Sequence, residues 1–208
     1  MIRAFILDMD NTIYPVKSIG YKLFAPLFEL MDQYKDQVGE DELKQAKEEV
    51  MSKPLQGVAD KHHFPKELKD KCVQMLSNLT YDEPMQPFDE YEYVRSLPFD
   101  KFLVTAGFMK MQQKKVEMLG LSNDFKKIYI IDPETTDKTK KDIFEEIAKE
   151  FNYKPEELLV IGDDADSEIK YGKMLGMKTF LYDPENNYPD APADVKAKSF
   201  EELRLVIS

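Results

Sequence analysis

Short apolar runs, each bounded by polar or turn-forming residues, recur along the chain and predict buried β-strands. The strongest runs cover residues 3–7, 101–105, 158–162 and 178–182, and a weaker one covers 128–132. Between them, apolar residues recur at helical spacing over 109–119, 141–151 and 168–175. Strands that alternate with helices form βαβ units, so the pattern predicts an α/β fold with a doubly wound, mostly parallel, Rossmann-like sheet.

The segment between residues 19 and 79 departs from this alternation. Amphipathic helical stretches cover 21–34, 41–51 and 66–79, and no run in the segment is a convincing strand. Pro84 and Pro87 cannot lie inside a helix and indicate where the chain returns to the sheet. We therefore predict a core formed by residues 1–17 and 84–208 and a smaller all-helical domain at 18–83.

Composition indicates a folded globular protein and bears on its partners. Hydrophobic residues make up 42% of the 208 residues, and the formal net charge is −11. Nucleic acids are bound by clustered Lys and Arg, so this charge argues against a nucleic-acid partner. The same charge repels a small anionic substrate, and a bound cation is the simplest source of local positive potential.

Other features of the sequence concern the compartment. No run approaches the roughly 18 uninterrupted apolar residues of a membrane-spanning helix, and the N-terminal run becomes acidic too soon for a signal peptide. The single cysteine, Cys72, has no partner for an internal disulfide and is expected to be buried and inert. We therefore expect a cytoplasmic protein without a membrane partner. The patterning predicts no particular oligomeric state.

Polar residues directly follow the predicted strands, and in an open parallel sheet ligands bind at the carboxyl ends of the strands. The residues in these positions are Asp8, Asp10, Thr105, Asp132, Asp163 and Asp164. Carboxylates gathered at one edge repel one another unless a cation neutralises them, and Mg²⁺ binds through one or two carboxylates, waters and phosphate oxygens. The alternative is that each Asp only ends a strand or caps the next helix. The repetition at strand ends favours a Mg²⁺ site.

The pair Asp8 and Asp10 can serve two steps of phosphoryl transfer. One carboxylate can attack phosphorus, while the other protonates the leaving alkoxide and later activates water. Thr105 and the backbone amides of Ala106 and Gly107 can donate hydrogen bonds to the transferring group. A lysine should complete this stabilisation, and the segment 136–141 offers three of them.

In these motifs the sequence resembles the haloacid dehalogenase superfamily of phosphatases, in the subgroup with a helical cap after the first motif. Residues 8–15, Asp-Met-Asp-Asn-Thr-Ile-Tyr-Pro, resemble the first motif in the form found in pyrimidine 5′-nucleotidase-like members. Residues 102–108 resemble the second motif, and 160–169, followed by Gly172 and Gly176, resemble the fourth. The resemblance covers the chain from residue 3 to about 182.

The resemblance implies a Mg²⁺-dependent phosphomonoesterase that forms an aspartyl-phosphate intermediate. Asp8 would be the nucleophile, and Asp10 would be the general acid and base. The metal would be held by Asp8, Asp163 and the backbone carbonyl of Asp10. The substrate would be a small phosphorylated metabolite, such as a nucleotide or a sugar phosphate.

The family also implies which residues bind the phosphoryl group. Thr105 and Ala106 of the second motif would do so together with the lysine of the third motif. We choose Lys138, because residues 138–144 match the usual spacing from that lysine to an Ile-Phe pair. Lys140 and Lys141 stay open as alternatives.

Two positions depart from the family pattern. Glu168 stands where a second Asp is common, so it can touch the metal directly, act through water or only orient its neighbours. Asp164 is a further candidate for such an orienting role. Ala106 stands where an Asn is usual, which removes a side-chain contact and leaves the backbone donor, so we expect substrate preference to shift more than catalysis.

Other readings of the sequence stay open. A dehalogenase or phosphonatase on the same scaffold is one alternative, although a halide leaving group needs no proton from Asp10. A catalytically silent phosphate-binding module is another, although binding alone does not require the full set of motifs. His62 and His63 are expected to pack in the helical domain. Tyr21, Phe24 and Phe28 are expected in its core, although an aromatic lining would also suit a nucleobase.

Overall fold

Six strands form one parallel sheet in the part of the chain that the structure, a computed structural model, describes, namely residues 1–81 and 84–207. The strands are β1 Ala4–Leu7, β2 Asp100–Ala106, β3 Lys127–Ile131, β4 Leu158–Gly162, β5 Lys178–Tyr182 and β6 Val195–Ala197. Their order is β3-β2-β1-β4-β5-β6, so the direction of winding reverses beside β1. This is the doubly wound Rossmann-like order, and the predicted fold class is confirmed.

Helices occupy most of the remaining described chain. Those between β1 and β2 are α1 Gly20–Leu23, α2 Ala25–Asp32, α3 Lys35–Val38, α4 Glu40–Val50, α5 Leu55–Lys61, α6 Lys66–Leu76 and α7 Tyr91–Ser96. Those after β2 are α8 Met109–Met118, α9 Lys140–Glu150, α10 Lys170–Met174 and α11 Arg204–Ile207. The 3-10 helices Val16–Ser18, Pro155–Glu157 and Phe200–Leu203 and a π-helical turn at Ala165–Ile169 complete the set.

The central strand is buried on both faces, as a parallel sheet covered by helices requires. Ala4 and Ile6 of β1 belong to a cluster that includes residues of α9, whereas Phe5 and Leu7 point to the other face. The second face shares one hydrophobic cluster with the helices of the 18–81 segment. The packed sheet therefore holds the residues at the ends of its strands in fixed positions.

The segment between β1 and α7 has no strand among its described residues. Its helices bury Cys72 completely, as expected, and burial raises the pKa of this thiol to about 12. His62 is also buried, and its Nδ1 lies 2.6 Å from Glu42, which agrees with a packing role. The division into a core and a helical domain stays a prediction, and residues 82, 83 and 208 of that division lie outside the described residues.

The sequence missed one strand. β6 has only three residues, Val195–Ala197, at the edge of the sheet, and its central Lys196 is exposed, so no apolar run marks it. Within the described residues, no helix combines the length and apolar character needed to cross a membrane.

Candidate active site

The register of the three central strands brings the predicted residues to one edge. Leu7 of β1 pairs with Leu103 of β2 and with Ile161 of β4. Thr105 and Asp163 each stand two residues beyond these partners, and Asp8 follows Leu7 directly. Their side chains therefore meet at the carboxyl ends of the strands, where they line a cavity of about 590 Å³.

Asp8 lies against a lysine at the bottom of this cavity. The Nζ atom of Lys140 lies 2.5 Å from Oδ1 of Asp8, and it also donates a hydrogen bond to Glu168. All three side chains are nearly buried, with exposed fractions of 11% for Lys140, 7% for Asp8 and 3% for Glu168. A buried cation thus neutralises part of a buried acidic cluster.

The N-terminus of α9 decides which lysine occupies this position. Thr139 caps the helix in a capping box with Asp142, so that Lys140 is its first residue. The predicted Lys138 lies outside the helix, and its Nζ is 2.7 Å from Glu146 on the surface. Lys141 pairs with Glu145 at 2.9 Å. Of the three candidates, the structure places Lys140 beside Asp8.

The acidic cluster retains an excess of negative charge. Burial raises the pKa of Asp8 to about 7; Lys140 opposes this rise, whereas Glu168 and Asp10 add to it. Burial and the charges of Asp8 and Glu168 hold the pKa of Asp163 well above its usual value, although the Thr12 hydroxyl donates to Asp163 at 3.2 Å. Such a cluster suits a divalent cation.

The donor set at this edge offers few side-chain ligands for a metal. Among the described residues, no three His, Cys, Asp or Glu side chains form a ready metal cluster. A cation between Asp8 and Asp163 would need carbonyl and water oxygens as further ligands, and Mg²⁺ accepts that combination.

Asp10 has different neighbours. Lys115 Nζ lies 2.7 Å and the Tyr14 hydroxyl 2.5 Å from its Oδ1, and Gln112 Nε2 lies 3.0 Å from Oδ2. Burial alone would raise the pKa of Asp10, but the charge of Lys115 and these hydrogen bonds together lower it. Gln112 also donates to Thr105 Oγ1 at 2.6 Å, which joins the first and second motifs.

Sequence reasoning missed Gln112, Lys115 and the Tyr14 hydroxyl. A signal for the first two was present, because 112 and 115 fall on the same face of α8 as the buried Met111 and Val116. A polar residue on an apolar helix face needs a buried partner, but the sequence does not say which one.

The remaining predicted residues support the backbone around the site. The Asp164 side chain accepts a hydrogen bond from the backbone of Asp166 at 2.8 Å, and its own amide donates to Glu168 at 3.2 Å. Asp132 accepts from the amide of Met109 at 3.1 Å and so anchors the start of α8. Ala106 is exposed, and its carbonyl accepts from Gln112. The helix-capping alternative therefore describes Asp164, which caps the turn that follows it, whereas Asp132 holds α8, a helix that precedes its strand.

The helices before β2 form the opposite wall of the cavity. This wall includes Phe24, Met51, Lys53, Leu55 and Leu76. Phe24 is buried, as expected, and also lines the cavity. The expected core position is wrong for Tyr21, which is 53% exposed and donates a hydrogen bond to Glu48 on the surface.

The fold and the site together define a Rossmann-like α/β protein with a cluster of acidic residues at the carboxyl edge of its sheet. The sequence matches the family of haloacid dehalogenase-like hydrolases over residues 2–176, and the chain belongs to this family.

Several known proteins are similar to the chain. A protein of Methanopyrus kandleri named glyceraldehyde 3-phosphate phosphatase is 26% identical over 195 residues, which are 86% of this chain and 83% of that protein. The haloacid dehalogenase-like family protein SP0104 of Streptococcus pneumoniae is 18% identical, with a TM-score of 0.72 over 100% of this chain and 99% of that one. YfnB of Bacillus subtilis, whose structure was solved bound to magnesium, is 21% identical, with a TM-score of 0.65 over 99% and 98%. The two structural likenesses show the fold alone.

Proposed function

We propose that the chain is a Mg²⁺-dependent phosphomonoesterase that acts on a small phosphorylated metabolite through an aspartyl phosphate on Asp8. One observation carries the proposal: the buried Asp8 carboxylate, directly after the central strand, lies beside the Lys140 ammonium and the Asp163 carboxylate, and all three line one cavity. This arrangement supplies a nucleophile, a fixed cation and a place for a metal within one desolvated site.

In the first step, an oxygen of the Asp8 carboxylate bonds to phosphorus while the bond from phosphorus to the ester oxygen breaks. The low pKa of Asp10 in the substrate-free protein favours its ionised form, so Asp10 takes up a proton before this step and then gives that proton to the departing oxygen. In the second step, Asp10 takes a proton from water, whose oxygen attacks phosphorus and releases phosphate from Asp8. Asp8 is then an ionised carboxylate again, and Asp10 carries the proton for the next turnover.

The transferring phosphoryl group carries negative charge that needs fixed donors. We assign Lys140 to this role because its ammonium touches Asp8, whereas that of Lys138 lies on Glu146. Thr105 Oγ1 accepts a hydrogen bond from Gln112, which leaves its own proton to donate to a phosphoryl oxygen. A Mg²⁺ held by Asp8, Asp163 and the Asp10 carbonyl would neutralise further phosphoryl charge when bound.

The helical segment 18–81 acts in this proposal as a cap that encloses the leaving group. Its contribution to the cavity wall is mainly apolar, with Lys53 as a charged member. Two observations support a small phosphate ester as substrate: the cavity of about 590 Å³, and the name of the Methanopyrus kandleri relative as a glyceraldehyde 3-phosphate phosphatase. Nucleotides and sugar phosphates both belong to the class of substrates that we propose.

The test measures phosphate release from p-nitrophenyl phosphate and from a panel of phosphorylated metabolites, with Mg²⁺ and with a chelator. We expect release with Mg²⁺, its loss with chelator and its loss in Asp8→Asn. Asp166→Asn is the matched control, because it removes an exposed carboxylate that follows Asp163 closely in the sequence but does not line the cavity. Folded wild-type protein that releases no phosphate from any substrate would overturn the proposal.

A further inference from the structure

We propose that Lys115 and Gln112 of α8 are positioning residues that hold the Asp10 carboxylate toward the oxygen of the leaving group. The inference rests on the proposed function and adds a prediction of its own. We expect contacts from α8 to control the rate at which poor leaving groups, such as alkoxides, depart, and to have little effect on the departure of good ones.

The placement of α8 is the first observation. Asp132, at the end of β3, accepts a hydrogen bond from the first amide of the helix at 3.1 Å and so fixes its start. Gln112 and Lys115 lie three residues apart and therefore share a face of the helix. That face is turned inward, because the exposed fractions of the two residues are only 2% and 4%.

The contacts at Asp10 are the second observation. Its Oδ1 accepts from Lys115 at 2.7 Å and from Tyr14 at 2.5 Å, and its Oδ2 accepts from Gln112 at 3.0 Å. Donors on both oxygens fix the rotation of the carboxylate as well as its position. Gln112 also contacts Thr105, so the carboxylate is held at a set place relative to the proposed phosphate-binding hydroxyl.

The burial of Lys115 is the third observation. Lysine is rarely buried unless it is paired, and its ion-pair partner here is Asp10, 105 residues away in sequence. A buried ion pair often gives no net stability compared with apolar residues of the same size. Stability alone therefore does not explain a lysine at this position, whereas control of the Asp10 carboxylate does.

The leaving group separates this role from a purely structural one. The ratio kcat/KM covers the steps up to departure of the leaving group, so the later role of Asp10 in hydrolysis does not enter it. A benzyl alkoxide needs a proton in order to depart, and p-nitrophenolate does not. A misplaced proton donor therefore slows benzyl phosphate hydrolysis selectively.

The experiment compares kcat/KM for benzyl phosphate and p-nitrophenyl phosphate in wild type and in Lys115→Met. We expect a loss of about 10²-fold with benzyl phosphate, since a displacement of about 1 Å can cost that much. With p-nitrophenyl phosphate we expect a loss below about threefold, because the Asp8 step is untouched. Lys114→Met, at the neighbouring surface position paired with Glu117, is the control and should change neither rate.

Each outcome decides the matter. An equal loss on both substrates in folded Lys115→Met, or no loss on either, overturns the inference. If that variant does not fold, Gln112→Met is measured in the same way. Because Gln112 also donates to Thr105, we expect a loss on both substrates that is larger for benzyl phosphate than for p-nitrophenyl phosphate. Wild-type protein that hydrolyses neither substrate contradicts the proposed function itself, a result distinct from an unselective loss in the variant.

Discussion

Asp8 and Asp10 stand on one loop with only Met9 between them, yet their carboxylates lie in opposite electrostatic surroundings. Around Asp8, burial outweighs the single Lys140 ammonium, which is shared with Glu168, and the pKa of Asp8 rises to about 7. Around Asp10, Lys115 and two neutral donors outweigh burial, and the pKa of Asp10 falls. The same side chain thus meets an excess of negative charge in one place and an excess of donors in the other.

The packed elements, and not the residue type, thus set the charge of each carboxylate. Without metal or substrate they favour the proton on Asp8 and the ionised form of Asp10, so the proposed roles require Mg²⁺ to ionise Asp8 and a proton to reach Asp10. Asp8 faces β4 and the start of α9, whereas Asp10 faces α8. Two carboxylates in different environments can take different parts in one reaction. Near Asp8 the excess of negative charge favours binding of a metal cation. Near Asp10 the hydrogen-bond donors fix the orientation of the carboxylate.

The largest expected effect comes from replacing Lys140, the lysine beside Asp8. Lys140→Met should lower kcat/KM by about 10²- to 10³-fold for good and poor leaving groups alike, the usual cost of losing a donor to a transition-state oxyanion. Lys138 also lines the cavity, but its ammonium pairs with Glu146 and not with Asp8, so Lys138→Met should change kcat/KM by less than about threefold. Steady-state kinetics on both variants would check this. A larger loss in Lys138→Met would reverse our assignment of the lysine.

The pH dependence of metal binding tests the electrostatic surroundings of Asp8. The pKa of Asp8, about 7 instead of 3.8, favours the folded metal-free protein at low pH, and this stabilisation is lost as the pH rises through about 7. Mg²⁺ needs the ionised carboxylate, so the rise in Tm caused by Mg²⁺ should be larger at about pH 8 than at about pH 6.

Thermal melts with and without Mg²⁺ measure this shift, and Asp8→Asn is the control in which its pH dependence should shrink. A rise in Tm that is the same at both pH values would contradict the electrostatic description of the acidic cluster.

Alanine substitutions at two glycines test the packing around Asp8 and around Asp10, and their expected effects are the smallest. A Cβ at Gly162 would lie 2.7 Å from Cγ of Glu168, and one at Gly107, where φ is +148°, would lie 3.1 Å from Cδ of Gln112. Alanine at either position should cost about 1–3 kcal/mol of unfolding free energy. Gly162→Ala should lower kcat/KM for both benzyl phosphate and p-nitrophenyl phosphate. Gly107→Ala should lower kcat/KM for benzyl phosphate more than for p-nitrophenyl phosphate.

Gly57→Ala is the matched control for these two variants, since a Cβ there meets nothing within 4 Å in α5. It should stabilise the protein by about 0.5–1 kcal/mol. Urea unfolding measures all three variants. Equal stability of Gly162→Ala and Gly57→Ala would show that the contact with Glu168 does not constrain the site.

The sequence predicted the sheet well where a strand is a continuous buried run. The predicted bounds of Leu158–Gly162 and Lys178–Tyr182 coincide with β4 and β5, because β4 is buried throughout and β5 is buried at every residue after Lys178. Helix ends were harder. The predicted start of α9 was residue 141, one residue late, because the cap at Thr139 was not recognised.

That single residue matters for the site. With Thr139 as the cap, Lys140 begins the helix and reaches Asp8, a result that spacing to Phe144 did not indicate. The contacts of Asp10 were beyond reach for another reason: Gln112 and Lys115 meet it across more than 100 residues of sequence. Such contacts depend on how α8 packs against the loop after β1, which no local pattern specifies.

The most direct test of the central claim is to trap the phosphorylated enzyme. The protein is mixed with Mg²⁺ and a phosphate ester that it hydrolyses, quenched in acid at short times, digested and examined by mass spectrometry. We predict one phosphoryl group on the peptide that contains Asp8, and none in Asp8→Asn. Turnover that leaves the Asp8 peptide unmodified at every quench time, with the phosphoryl group found on another residue, would contradict the account.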